Sequence, residues 1–292
     1  MAEVKEFPAV WLQGGACSGC AVSLLNAASP TIRQLLIDPV VPGRHVSLLF
    51  QPTIMAASGA KALSVLAGDQ VAEGFLLVVE GSIPTAHDAF CTIGEGPDEH
   101  EVTIREKTTD LASRALAVVA IGTCASYGGI PAGAPNPTGS KGVADVLADA
   151  GIDTPVINIP GCPPHPDWFS HTVAGILLNG LPTPDQLDDA GRPLEFYGRT
   201  IHEQCPRRPD FDAGKFAKHN GDEGCLYLLG CKGPVTYADC PTRMWNNGVN
   251  WCVGANGPCI GCVEPGFPDK LSPMYEKIAE RRLEQLVVRT KA

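Results

Sequence analysis

Short apolar runs recur through the first 180 residues, and each is followed by a stretch whose apolar positions return at helical spacing. The runs predict strands at Ala9–Gln13, Val46–Phe50, Phe75–Glu80, Ala115–Gly122 and Val156–Pro160. The intervening stretches predict helices at Ala21–Ala28, Ala56–Leu66, Thr109–Arg114, Lys141–Ala150 and His171–Asn179. Strands alternating with helices predict an α/β fold in which helices cover a parallel sheet. The Val, Leu and Ala of these runs are assigned to the core.

After Gly180 the periodicity disappears. Leu181-Pro-Thr-Pro-Asp-Gln-Leu-Asp-Asp-Ala-Gly-Arg-Pro193 reads as a linker, and the chain beyond it is crowded with Gly, Pro, Asn and Cys. Two parts are expected, 1–180 and a largely irregular 181–292. With few periodic apolar positions, the second part would struggle to offset its ordering entropy by burial alone. Metal binding can supply the missing folding free energy. The tail Tyr275–Ala292 regains a helical pattern with Ala279, Leu283, Leu286 and Val287 on one face.

Charge narrows the function. With 22 basic against 32 acidic residues the net charge is -10, the wrong sign for a phosphate-binding surface, so no nucleic-acid partner is expected. No run is long and apolar enough to predict a membrane span. The first residues, Met1-Ala-Glu-Val-Lys-Glu-Phe-Pro8, lack a charged segment followed by an apolar one. As written the chain is expected in the cytoplasm, or in the periplasm as the processed form of an exported precursor.

Twelve cysteines and seven histidines change the picture most. Disulfide-dense scaffolds are usually short, whereas these cysteines sit in C-x-x-C pairs or beside Gly and Pro in a long chain with ordinary core signals. Metal ligation is favoured over disulfides. Cys17 and Cys20 follow the first predicted strand, Cys124 the fourth and Cys162 the fifth. Ligand sites of open parallel sheets lie beyond the carboxyl ends of the strands, so these four thiols should meet at one edge. Four thiolates suit a structural zinc or a cubane iron–sulfur cluster. A cored domain needs no zinc staple, and the nearby glycines 14, 15, 19, 122, 128, 129 and 161 allow backbone N–H groups to approach cluster sulfurs, so the cluster is preferred.

His202 and Cys205 form an H-x-x-C pair, and with Cys225 and Cys231 they give one imidazole and three thiolates. Neutral imidazole in place of a thiolate removes negative charge and should raise the cluster's potential. Cys240, Cys252, Cys259 and Cys262 make a third set, whose run Asn256-Gly-Pro-Cys-Ile-Gly-Cys-Val-Glu-Pro265 resembles a ferredoxin-type loop. With Cys252 as ligand the set suits 4Fe-4S; without it, 3Fe-4S. Cys91 is left over and is expected to be a passive thiol.

Taken in order, Cys17-Ser-Gly-Cys20, Val79-Glu-Gly-Ser-Ile-Pro-Thr85, Gly122-Thr-Cys124, Pro137-Thr-Gly-Ser-Lys-Gly142, Gly161-Cys-Pro-Pro164, His202-Glu-Gln-Cys-Pro206, Leu229-Gly-Cys-Lys-Gly-Pro234 and Pro258-Cys-Ile-Gly-Cys262 resemble the small subunit of nickel–iron hydrogenases. The resemblance implies a flavodoxin-like first domain with a proximal 4Fe-4S cluster on Cys17, Cys20, Cys124 and Cys162. It implies a distal 4Fe-4S cluster on His202, Cys205, Cys225 and Cys231, and a medial cluster on Cys240, Cys259 and Cys262. Cys252, with Asp239-Cys-Pro, Trp245-Asn-Asn-Gly and Asn250-Trp, is similar to the nickel–iron–selenium branch, whose medial cluster is 4Fe-4S. Ala16 stands where many relatives have glutamate, and Gly19 where oxygen-tolerant relatives carry an extra cysteine.

What the resemblance implies for function is the relay of electrons from a nickel–iron site on a large subunit, the obligate heterodimer partner, to a cytochrome, ferredoxin or other carrier at the distal end. The rival of another class is a non-catalytic iron–sulfur relay subunit of a respiratory complex. A single-cluster subunit of that kind would not need the eight ligands that follow residue 200.

Overall fold

The computed structural model describes residues 5–36, 44–87, 90–96 and 100–277. Among the described residues there are seven strands: β1 (Lys5–Gln13), β2 (Arg44–Phe50), β3 (Leu76–Glu80), β4 (Thr92–Glu95), β5 (Glu101–Thr103), β6 (Ala117–Ile121) and β7 (Val156–Ile159). Five of them form a wholly parallel sheet in the order β2-β1-β3-β6-β7, and β4 pairs with β5 as a separate antiparallel hairpin. Counting the parallel strands alone, the order is 2-1-3-4-5, that of flavodoxin-like folds. All five predicted strands are found, with ends moved by a few residues.

The central strands β3 (Leu-Leu-Val-Val-Glu) and β6 (Ala-Val-Val-Ala-Ile) are buried at every position. A parallel sheet covered on both faces requires such unbroken apolar strands, because neither face meets water. The helices that cover it are α1 (Gly19–Leu24), α2 (Ile32–Leu36), α3 (Gly59–Leu63), α4 (Ile104–Ala112), α5 (Gly122–Tyr127), α6 (Val143–Asp149) and α7 (Pro166–Asn179). α1 and α2 pack on α7, while α4 and α5 pack on α6. α4 begins earlier than the apolar pattern predicts because Thr103 caps it: its hydroxyl accepts from Glu106 N at 3.0 Å, and the Glu106 carboxylate accepts from Thr103 N at 2.9 Å.

The chain divides into compact units at Glu195/Phe196 rather than at Gly180/Leu181. The stretch from Leu181 to Glu195 belongs to the first unit because it hydrogen-bonds the edge of the sheet. Asn158 of β7 donates from its backbone to Gly191 O at 2.9 Å and from Nδ2 to Ala190 O at 2.8 Å. The hydroxyl of Tyr127 also donates to Ala190 O, at 3.1 Å.

The second unit is built from short pieces, as its sequence texture implies. After α8 (Leu194–Tyr197), which straddles the boundary, come α9 (Ile201–Gln204), α10 (Arg208–Asp212) and α11 (Cys240–Arg243). Among the described residues it has no strand ladder, only isolated bridges such as Thr200 with Tyr237. It does hold a modest apolar core that includes Phe196, Tyr197, Ile201, Leu226, Trp251, Val253, Val263 and Phe267. Of the tail expected to be helical, Tyr275–Lys277 is not helical, and 278–292 lies outside the described residues. Among the described residues no helix is long and apolar enough to cross a membrane.

Candidate metal centres

In a 2-1-3-4-5 sheet the strand order reverses between β1 and β3, and the crevice beyond their carboxyl ends is where ligands collect. Cys17 and Cys20 follow β1 there, and Glu80 ends β3. Backbone pairing holds the two ends together: Gly14 N donates to Glu80 O at 2.8 Å, and Gly15 and Ser82 exchange bonds of 2.8 and 3.2 Å. A Cβ at Gly14 would fall against the Ser82 carbonyl, so only glycine permits this approach.

Cys124 and Cys162 are brought to the same edge by a second clamp. Thr123, at the start of α5, donates from its backbone to Gly161 O at 3.0 Å, and its hydroxyl accepts from Gly161 N at 2.9 Å. The residues that follow are the two cysteines. Ser23 of α1 adds a third tie by donating to Pro164 O at 2.8 Å.

The four thiols sense one another. Burial pushes the Cys20 thiol well up, and Glu80, Cys124, Cys17 and Cys162 add to it. Burial pushes Cys124 up to about 11, with Cys162 and Cys17 contributing. Such thiols ionise only beside a strong positive charge, which metal binding provides. The sulfurs lie against glycines: a Cβ at Gly122 would strike Cys20 Sγ, one at Gly129 would stand 2.9 Å from Cys124 Sγ, and one at Gly19 would stand 3.1 Å from Cys17 Sγ. This cradle fits a sulfur-rich group and its thiolates.

In the second unit, α9 presents His202. Thr200 caps α9 with the same reciprocal pair seen at α4, at 3.2 and 2.9 Å to Glu203. Phe211 meets the imidazole edge-on with centroids 4.6 Å apart, and Phe216 and Tyr227 pack on Phe211 in turn. Burial, with Arg208 assisting, holds the His202 pKa below its ordinary value, so the ring is the neutral ligand form at neutral pH. Burial pushes Cys225 up to about 11, with Cys231 and Cys205 contributing. Cys205 Sγ accepts from Arg207 N at 3.4 Å, and a Cβ at Gly233 would meet both Cys231 Sγ at 3.5 Å and His202 N at 3.7 Å.

The third set ranges from the buried Cys259 to the exposed Cys252. Burial drives Cys240 and Cys259 well above the ordinary thiol range; Cys262, Cys259 and Cys252 add to the effect at Cys240, and Cys231 and Cys262 at Cys259. Cys252 is exposed, and its charge also bears on Cys231. Backbone N–H groups reach sulfurs here too: Cys259 N donates to Cys231 Sγ at 3.4 Å.

Among the described residues no three His, Cys, Asp or Glu side chains converge on one metal ion. Four thiolates around one zinc would stand about 3.8 Å apart, given the zinc–sulfur bond length. A cubane, in contrast, takes each thiolate on a different iron. Cys91, at the hairpin, packs against the core of the first unit, and only burial acts on its thiol.

Sequence reasoning passed over Glu80. Its signal was present: an acid closing the apolar run Leu76-Leu-Val-Val. The carboxylate is fully buried and accepts from Trp11 Nε1 at 3.1 Å, Gln13 Nε2 at 2.9 Å, and Cys20 N and Ala21 N at 3.1 Å each.

A parallel sheet with thiols at its carboxyl edge, followed by an irregular thiol-rich unit, is the architecture of a protein that binds metal through cysteine. Residues 197–275 match the C-terminal family model of the NiFe/NiFeSe hydrogenase small subunit. Residues 17–176 match that of the NADH ubiquinone oxidoreductase 20 kDa subunit. The periplasmic NiFeSe hydrogenase small subunit of Desulfomicrobium baculatum is 50% identical over 284 residues, spanning 93% of this chain and 87% of that one. The periplasmic NiFe hydrogenase small subunit of Solidesulfovibrio fructosivorans is 42% identical, over 92% and 81%. A crystal structure of the reduced, active Ni-Fe-Se hydrogenase from D. baculatum matches with a TM-score of 0.87 at 49% identity, covering 94% of this chain and all of that one. The chain belongs to the NiFe/NiFeSe hydrogenase small-subunit family. Its role is electron relay within that oxidoreductase. The rival respiratory reading shares only the first unit's family model; the match over 197–275 favours the hydrogenase.

Proposed function

We propose that the chain holds three 4Fe-4S clusters and carries electrons from a large subunit's nickel–iron site, where hydrogen yields two protons and two electrons, to an external carrier. The ligands would be Cys17, Cys20, Cys124 and Cys162 for the proximal cluster, Cys240, Cys252, Cys259 and Cys262 for the medial one, and His202, Cys205, Cys225 and Cys231 for the distal one. Bound clusters would supply reversible one-electron chemistry. This chain supplies their ligands, their burial and the N–H donors that tune them.

The observation that carries this reading is the grouping of the thiols. Cys17, Cys124 and Cys162 all bear on Cys20, Cys252, Cys259 and Cys262 all bear on Cys240, and Cys205 and Cys231 both bear on Cys225 in the unit that carries His202. With Cys252 as the fourth thiolate of the third set, the medial cluster would be 4Fe-4S rather than 3Fe-4S. The relatives named periplasmic favour that compartment for a processed form of this chain, and the cytoplasmic expectation has no support from them. A cytochrome or ferredoxin would collect electrons at His202.

Iron and acid-labile sulfide per chain, with EPR of oxidised and reduced protein beside Cys252→Pro, test the reading. About twelve irons, with a 3Fe-4S signal only in the variant, is the expected result. About eleven irons with that signal already in the unaltered protein would remove Cys252 from the ligands. Zinc, or about four irons, would overturn the three-cluster reading.

A further inference from the structure

α1 begins without a cap of its own. Ser18, at its N-cap, has a left-handed φ of 61° and makes no side-chain capping bond. The first-turn N–H groups of Cys20 and Ala21 would be left without helical acceptors. The Glu80 carboxylate fills that role from a different strand, with Oε1 accepting from both at 3.1 Å. Oε2 is held on its other side by Trp11 Nε1 at 3.1 Å and Gln13 Nε2 at 2.9 Å. Every group bonded to this buried side chain is an N–H donor, so it acts solely as an acceptor, as an ionised carboxylate does.

We propose that Glu80 is a positioning residue for the first thiol set: a buried, fixed negative charge that places Cys20 and lowers the reduction potential of the cluster bound there. The inference rests on the cluster reading above. Its physical basis is simple. Adding an electron near a fixed negative charge is opposed, and burial keeps water from screening that charge. The N–H donors offset part of the charge, so the donor side chains set how strongly it acts. Two opposite shifts follow. Removing the charge should make reduction easier, and removing a donor should make it harder.

Redox titration of the heterodimer, followed by EPR, with iron counted on the same samples, tests this in Glu80→Gln and Gln13→Leu. In Glu80→Gln the amide oxygen can still accept from Cys20 N and Ala21 N, while the charge is gone. The expected result is a rise in the potential of the first set's cluster alone, by about tenfold in its reduction equilibrium, about 59 mV for one electron. Gln13→Leu should lower the same potential. A purely structural role would not produce opposite signs. If Glu80→Gln instead loses the four irons of this set, its part in placing Cys20 is supported, and the Gln13→Leu shift tests the charge. Full iron with an unmoved potential in Gln13→Leu or in Glu80→Gln overturns the proposal. Unaltered protein lacking iron at the first set would overturn the cluster reading instead, which keeps the two failures apart.

Discussion

The backbone N–H of Cys259 donates to Sγ of Cys231 at 3.4 Å, although the two cysteines fall in different proposed ligand sets. Lys232 N returns a bond to Cys259 O at 2.7 Å, so the two loops are laced together at the ligands themselves. A donor to a cysteine sulfur stabilises the electron-rich state of whatever the sulfur binds, so the potential of a cluster held by the second set would depend on the backbone of the third.

Cys231→Ala should therefore affect both sets unequally. The second set loses a ligand, and iron should fall from about twelve to about eight per chain if its cluster is lost. The third set keeps all its ligands, but Cys259 N loses its acceptor. Its EPR signal should persist with altered g-values. An unaltered third-set signal after loss of the second would show that the lacing carries no electronic consequence.

His202 offers a cleaner test of charge. The ring sits edge-on to Phe211 at 4.6 Å, in a pocket that favours the neutral imidazole. His202→Cys would replace a neutral ligand by a thiolate and add one negative charge to the bound group. Iron content should stay the same while the distal potential falls. The measurement is a redox titration followed by EPR; a potential that rises or stays fixed would separate His202 from the ligand set.

The fold was legible because the parallel strands are written as apolar runs. The apolar runs of β1 and β6 can be read by eye, and their C-terminal ends locate the Cys17–Cys20 pair and Cys124. Short elements were less visible. The helix α5 that carries Cys124 starts at Gly122 with a φ of 86°, and its glycine hides a turn that exists to let the chain pass Cys20. The β4–β5 hairpin, partly exposed and four residues or fewer per strand, has too little alternation to stand out. In the second unit, spacing grouped the candidate ligands, but neither the Cys259–Cys231 contact nor the packing of Phe211 on His202 could be read, since spacing carries no information on which side chains meet where loops fold back.

Gly122 makes the steric part of that argument testable. Its φ of 86° is costly for a side-chain-bearing residue, by about 1–2 kcal/mol, and an added Cβ would collide with Cys20 Sγ. Gly122→Ala should lose the first set's irons while the second and third sets remain filled. The check is iron per chain together with the EPR signals of the remaining clusters. Full occupancy of all three sets would mean that the loop relaxes around the methyl group.

The cap at Thr200 gives a prediction in pH. The Glu203 carboxyl is held below its ordinary range by the Thr200 backbone N–H and hydroxyl, so its contribution carries a definite sign. A group with a depressed folded pKa contributes stability above its unfolded value, and loses it as pH falls through the folded value. The unfolded value for glutamate is about 4.3, so this support is fully present through neutral pH. Thr200→Ala should weaken α9, broaden the His202-ligated cluster's EPR signal and lower resistance to urea by the same amount at pH 8 and pH 6. The difference between the two proteins should shrink only at acid pH, below about 4. A difference that shrinks between pH 8 and pH 6 would implicate His202 itself and remove Glu203 from the explanation.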